Sequence, residues 1–183
     1  QILDTVYIGG GTPTTLTSEQ LEELIIYVKE RFDFKSVQEF TVEAGRPDSI
    51  TREKLDTLFR CGVNRISINP QTMNEQTLKL IGRQHTVEQV GKAFLLAREA
   101  GFTNINMDLI LGLPGEDLAM LKYTLSEIER LDPDSITVHS LAIKRAAGMA
   151  QFLNEHEELK SVNTPQMMEA ARETAERMGM KPY

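Results

Sequence analysis

A chain of 183 residues, 40% of them hydrophobic, can bury the core of one domain, and its formal net charge of −7 speaks against a nucleic-acid partner, which calls for a basic face. No apolar run approaches the ~20 residues of a membrane span, and no signal-peptide pattern is present, so a cytoplasmic location is expected. The single cysteine, Cys61, excludes an internal disulfide framework and a cysteine-rich metal site made by this chain alone.

Strand-like and helix-like segments then alternate. Leu3–Ile8 reads as a strand, followed directly by Gly9-Gly10-Gly11-Thr12-Pro13-Thr14. Thr17 to Gln20 spells a capping box opening a helix to about Phe32. Val37–Glu43 is the second strand; Thr51 caps a helix that ends near Cys61, with Gly62 as terminator. Val63–Asn69 is the third strand, and Asn74 opens a short helix to about Ile81. Thr86 to Gln89 is a second capping box, whose helix Gly101 closes. Asn104–Leu111 is the fourth strand, and the helix from Asp117 to Leu131 stops at Asp132-Pro133. Ser135–Leu141 is the fifth strand. After an irregular stretch, 144–163, Thr164-Pro165 opens a last helix that Gly179 ends. Gln1 leads almost at once into a strand, and Lys181-Pro182-Tyr183 stops where another strand would begin. The expectation is one domain over 1–183, a truncated core.

Strict alternation with short connections implies parallel strands and right-handed crossovers. Strands buried on both faces read as continuous apolar runs, but these alternate. Glu39, Thr41 and Glu43 interleave with Phe40 and Val42. Arg65, Ser67, Asn69 and Gln71 interleave with Ile66 and Ile68. Asn104, Asn106 and Asp108 interleave with Ile105, Met107 and Leu109. Ser135, Thr137 and His139 interleave with Ile136 and Val138. Helices cover the apolar face, which leaves a polar and ionisable one. A solvated open sheet is one reading. The favoured one is a curved α/β sheet around a polar lumen, a partial (β/α) TIM-like barrel of about five parallel strands. Its site would lie at the C-terminal strand ends, where Gly9, Glu43, Gln71, the Gly112–Gly115 loop and His139 fall.

Three consecutive glycines let backbone lie against a ligand and adopt positive φ. Alone, such a triplet reads more readily as a tight loop without a ligand. The lysine of a P-loop is missing, and G-x-G-x-x-G is not matched.

GGGTPT after a strand resembles the glycine-rich motif of radical S-adenosylmethionine (SAM) enzymes in its coproporphyrinogen oxidase variant. TVEAGRPDSIT, GVNRISINPQTMNEQTLKLIGRQHT and NINMDLILGLPGE come after it in order. They are similar to blocks of the oxygen-independent coproporphyrinogen III oxidases and the related heme chaperones. The resemblance runs from Ile2 to about His139. SINPQTM and VHSLAIKRAA are most like a Gram-positive-type branch of the oxidases. It implies that Gly10 and Gly11, with Thr12 in the same loop, approach the amino group of SAM. It implies that Glu43 binds ribose hydroxyls or the amino group, that Gln71 and Arg83 face SAM with Arg83 on the carboxylate, and that Asp108 holds ribose hydroxyls. Gly112 to Gly115 would pack near the adenine. Carboxylates accept from diols and ammonium groups, and a guanidinium forks onto a carboxylate.

Each residue also has a structural reading. Glu43 is then an acceptor for a neighbouring loop, Gln71 caps the turn after Pro70, and Arg83 is a solvated base. Asp108, costly if unpaired in an apolar strand, needs a ligand or Arg65. His139 is a candidate for substrate contact or proton relay; His85 and His156 are expected at the surface. Lys144 and Arg145 are either partners for substrate carboxylates or a solvated loop. Met167, Met168, Met178 and Met180 read as core filler.

The family's chemistry needs a [4Fe–4S] cluster on C-x3-C-x2-C. The cluster reduces the sulfonium of SAM, releasing methionine and a 5′-deoxyadenosyl radical. The motif is absent here, Cys61 reads as a buried apolar residue, and the chain alone is expected to be inactive, with an unpaired sheet edge. No catalytic residue and no metal ligand is assigned within it. The resemblance implies a parent oxidoreductase of heme biosynthesis, served by an electron donor protein. It would decarboxylate two propionates of coproporphyrinogen III to vinyl groups, giving protoporphyrinogen IX without oxygen. The alternative is a heme chaperone that binds heme or porphyrin without decarboxylating it. Another radical SAM reaction, such as tRNA modification, and a barrel without SAM chemistry stand behind these two.

Overall fold

The computed structural model describes residues 2–141 and 164–182. Five strands, β1 (Thr5–Ile8), β2 (Glu39–Gly45), β3 (Arg65–Gln71), β4 (Ile105–Leu111) and β5 (Ser135–Ser140), form one sheet. Its order is β1-β2-β3-β4-β5, and every pair is parallel. The helices are α1 (Ser18–Arg31), α2 (Arg52–Arg60), α3 (Glu75–Leu80), α4 (Val87–Glu99), α5 (Leu118–Leu131) and α6 (Pro165–Arg177). Short 3-10 turns occupy Pro13–Thr15 and Pro47–Ser49.

The helices start where local chemistry dictates. Thr17 and Thr86 accept from the backbone N–H groups of Gln20 and Gln89, whose side chains return the bond. Thr51, Asp117 and Thr164 cap α2, α5 and α6 in the simpler way. Each cap satisfies a backbone donor that the first turn leaves open.

The strand order explains the two faces. Each right-handed crossover moves one strand further in the same direction, so the helices collect on one face. The result is an α/β half-barrel, not a doubly wound sheet, whose order reverses. Phe40, Val42, Ile66, Ile68, Ile105, Met107 and Leu109 point to the helix side and are buried. They meet Leu21 and Ile25 of α1, Leu55 and Leu58 of α2, Val90, Phe94 and Ala97 of α4, and Leu121, Leu125 and Ile128 of α5.

β1 and β5 are the sheet edges. A groove of about 520 Å³ runs along β5 against α6, lined among others by Ile136, Val138, Met168, Ala171 and Ala175. No helix among the described residues is long and apolar enough to cross a membrane.

Three sequence expectations need correction. His85 is not at the surface: it is 2% exposed, because the loop before α4 folds back under the end of β3. Cys61 is half-buried at the C-terminus of α2. Of the four methionines, Met167 is buried in the core, whereas Met168 is exposed and lines the β5 groove. Lys144, Arg145 and His156 lie outside the described residues.

Candidate functional site

The face of the sheet opposite the described helices carries a hydrogen-bonded polar ladder from β1 to β5. Tyr7 Oη donates to Glu43 Oε2 (3.3 Å), and Asn69 Nδ2 donates to Glu43 Oε1 (2.8 Å). Ser67 Oγ lies 3.1 Å from Asn69 Oδ1 and 3.3 Å from Asp108 Oδ1, with one hydrogen to give either. Asn106 Nδ2 donates to Asp108 Oδ1 (2.6 Å) and to Ser67 Oγ (2.9 Å). Ser135 and Thr137 donate to Asn106 Oδ1. The alternation that puts apolar residues under the helices therefore brings Glu43 and Asp108, from strands two places apart, onto one surface. Both carboxylates are half-buried. A carboxylate offers about four acceptor positions; among the described residues Asp108 uses only Oδ1.

Asp108 does not pair with Arg65. That guanidinium turns to Glu39 (3.7 Å) and Ser135 Oγ (3.2 Å), because Arg65 opens β3 while Asp108 sits mid-strand in β4, further along the sheet. The Tyr7 hydroxyl is pushed up to about 12 by partial burial and then by the Glu43 carboxylate beside it. Tyr7 thus stays a donor across the ordinary pH range, although much of its ring is exposed.

The glycine loop closes over the β1 end of this ladder. A Cβ on Gly9 would stand 2.3 Å from the Tyr7 ring and 2.9 Å from Glu43 Oε2, so this glycine lets the pair come together. A Cβ on Gly10 (φ +112°) or Gly11 would meet nothing within 4 Å. The space above these two is open. Thr12 turns its methyl against Gly45, and its carbonyl accepts from Thr15 N and Oγ1.

Sequence reasoning missed what anchors the loop. Thr14 is fully buried, with Oγ1 2.5 Å from the Ala44 carbonyl and 2.6 Å from Ser49 Oγ. Lys54 Nζ donates to the carbonyls of Thr14 (2.6 Å) and Ser49 (3.2 Å). The second threonine of GGGTPT was the available signal.

Gln71 ends β3 in the left-handed region, at φ 65°. It is 7% exposed, and its Oε1 is buried with no partner among the described residues. Arg83, after α3, is half-buried and has no ion pair among the described residues. Beyond β4, Gly112 and Gly115 both take positive φ. Glu116, 6% exposed, accepts from Thr72 Oγ1 (2.5 Å) and Asn74 Nδ2 (3.0 Å). This staples the loop after β4 to the loop after β3, another feature that sequence reasoning missed. His139 shares the strand parity of Thr137 and is exposed.

The chemistry offered is consistent. Spare acceptors at Asp108 and Gln71, a guanidinium without an ion pair among the described residues, and open space above two glycines suit a polar ligand that brings several donors and one carboxylate. Cys61 precedes β3 and stands at the opposite end of the sheet from these groups. Burial pushes its thiol up. Among the described residues no group of three or more His, Cys, Asp or Glu side chains could hold a metal ion.

Known proteins resemble this chain in sequence and in fold. The family profile of the Radical SAM superfamily matches residues 1–128. The oxygen-independent coproporphyrinogen-III oxidase-like protein HemZ of Bacillus subtilis (strain 168) is 47% identical over 180 residues, 98% of this chain and 36% of that protein. The heme chaperone HemW of the same organism is 42% identical over 143 residues, 78% of this chain and 38% of that protein. The solved structure of coproporphyrinogen III oxidase HemN from Escherichia coli, described as a radical SAM enzyme, superimposes with a TM-score of 0.79 at 30% identity. It covers 97% of this chain and 40% of that one. The chain thus spans well under half the length of these relatives.

Proposed function

The chain belongs to the radical SAM superfamily, and from that premise we propose that it is the cofactor-holding half-barrel of a heme-pathway protein acting on coproporphyrinogen III. The supporting observation is one juxtaposition: an open glycine cradle at the strand end that carries Glu43, on the same polar face as Asp108, with the orphaned Gln71 Oε1 at the end of β3 between them.

These groups fit SAM. Gly10 and Gly11, with Thr12 seating the loop, leave backbone room for the methionine moiety. Glu43, Gln71 and Asp108 accept from its ammonium group and ribose hydroxyls, and Arg83 forks onto its carboxylate. The loop from Gly112 to Gly115, stapled by Glu116, borders the adenine. Bound SAM with a [4Fe–4S] cluster supplies one-electron oxidation, while this chain's residues orient the cofactor. The cluster's ligands are not among these residues, since the one cysteine lies at the far end of the sheet. On this reading residues 1–183 act as one structural unit. The porphyrinogen substrate and an electron donor protein are partners of the whole protein.

A second reading has its own support. The 42% identity to HemW fits a protein that holds heme without decarboxylating a porphyrinogen. To test both, the full-length protein is reconstituted anaerobically with its cluster and given SAM, a low-potential reductant and coproporphyrinogen III. The oxidase reading expects 5′-deoxyadenosine together with decarboxylated porphyrin, both lost in Asp108→Ala. Deoxyadenosine without porphyrin product removes the substrate assignment. Neither product, with an intact cluster and stable retention of added heme, favours the chaperone.

A further inference from the structure

β3 does not end as an ordinary strand. Its pairing with β4 advances from Ile68↔Met107 to Gln71↔Leu109, three residues against two, which is a bulge. Bulges re-aim side chains near sites. Pro70, inside the bulge, has no N–H to give the ladder. Gln71 then adopts φ 65°, a conformation that a residue with a side chain keeps only when its surroundings impose it.

His85 supplies that constraint. It is 2% exposed, and its Nε2 lies 3.3 Å from the Pro70 carbonyl oxygen. A carbonyl only accepts, so Nε2 carries the hydrogen and Nδ1 is a bare acceptor. Nδ1 of His85 and Oε1 of Gln71 are the two buried side-chain atoms without a partner among the described residues. Gln71 Oε1 follows directly on the Pro70 carbonyl, whereas the Nδ1 edge of the ring faces away from it, since the two ring nitrogens point in divergent directions. A buried acceptor left open beside a strained backbone marks a place suited to an incoming donor.

We propose that His85 is a positioning residue of the SAM pocket, a neutral strut that acts through the Pro70 carbonyl to keep Gln71, and the neighbouring Arg83, aimed at the ligand. This rests on the SAM reading above. Arg83 and Arg46 face the ring with positive charge, and Asp48 with negative charge. Burial and then Arg83 disfavour the imidazolium, against the pull of the Pro70 carbonyl and Asp48. A second ring proton leaves the Nε2 donor in place but sets a buried cation beside Arg83. Such a charge is costly in the interior, and the corner relieves it by releasing the ring and with it Gln71, so acid weakens SAM binding.

The test is SAM affinity by equilibrium dialysis, on the full-length protein, from about pH 5 to 8, whose acid end serves a histidine pushed down by burial. His85→Leu removes the donor. It is expected to weaken binding roughly five- to tenfold at the alkaline end, the scale of one net hydrogen bond, and to add little in a Gln71→Ala background. His85→Gln can still donate to Pro70 and does not titrate. It keeps near wild-type affinity in alkali and loses the acid fall. Wild-type affinity in a correctly folded His85→Leu protein overturns the proposal, as does an identical pH profile for wild type and His85→Gln. Should His85→Leu fail to fold, the His85→Gln profile decides. If the wild-type protein does not bind SAM at all, the underlying SAM assignment falls as well.

Discussion

Replacing Asp108 with alanine tests ligand binding against folding, because the structure provides a fallback partner for one of the two groups it abandons. Asp108 Oδ1 accepts from Ser67 Oγ and Asn106 Nδ2. Without it, Ser67 can give its hydrogen to Asn69 Oδ1 at 3.1 Å, and Asn106 Nδ2 keeps its 2.9 Å bond to Ser67 Oγ. The other Asn106 Nδ2 hydrogen loses its acceptor at a 2% exposed side chain, so the stability loss is that of one unsatisfied buried donor, about 1–3 kcal/mol. At roughly 2–4 °C per kcal/mol for a unit of this size, the melting temperature should fall by about 2–12 °C, with the fold retained. The ligand has no such substitute. Losing the acceptor for its hydroxyl donors costs about 1.5–3 kcal/mol, or roughly 10- to 150-fold in SAM affinity. Thermal unfolding and equilibrium dialysis on the full-length protein measure the two quantities. A collapse of the fold, or a folded variant that binds SAM as tightly as wild type, refutes the reasoning; Asp108 would then be a structural member of the ladder.

Three further outcomes are expected. Gly11→Ala places a methyl where nothing stands within 4 Å, so the melting temperature should hold while SAM affinity drops; unchanged affinity would show that the open cradle is not a ligand seat. Leu58→Ala, at a fully buried position of α2, should cost about 2–5 kcal/mol, read from thermal unfolding, and a loss below about 1 kcal/mol would contradict the packed helix layer. Burial raises Tyr7 from 10.0 to about 12, and Glu43 contributes. Its share of stability is therefore complete below pH 10 and is lost as the pH rises through about 12. Tyrosinate absorbance should show one late-titrating tyrosine that shifts towards 10 in Glu43→Gln, and no shift would dissolve the assigned pair.

The range over which each interaction acts decides how much of the fold and site was legible in the sequence. Thr17 and Thr86 bond to backbone three residues away, so their helices start where the capping boxes place them. The alternation in β2 to β5 is likewise local, and it assigned Glu43, Asn69, Asn106 and Asp108 to one face before any pairing was known. With right-handed crossovers, that is enough for a parallel half-barrel with a polar concavity.

Contacts between distant segments left no such mark. His85 carries no sign of burial in its own neighbourhood, since the Pro70 carbonyl that it meets is fifteen residues away and is presented by a bulge. The partner of Asp108 depended on register: Arg65 opens β3 and reaches Glu39 and Ser135, leaving Ser67 and Asn106 beside the carboxylate. The anchoring of Thr14 on Ala44 and of Glu116 on Thr72 joins loops thirty and forty-four residues apart. Patterning thus determined which face each side chain occupies, because a residue's direction is set by its own turn or strand. Only the tertiary structure decided which partners meet there, because hydrogen bonds form at about 3 Å and sequence spacing does not specify distances across a sheet.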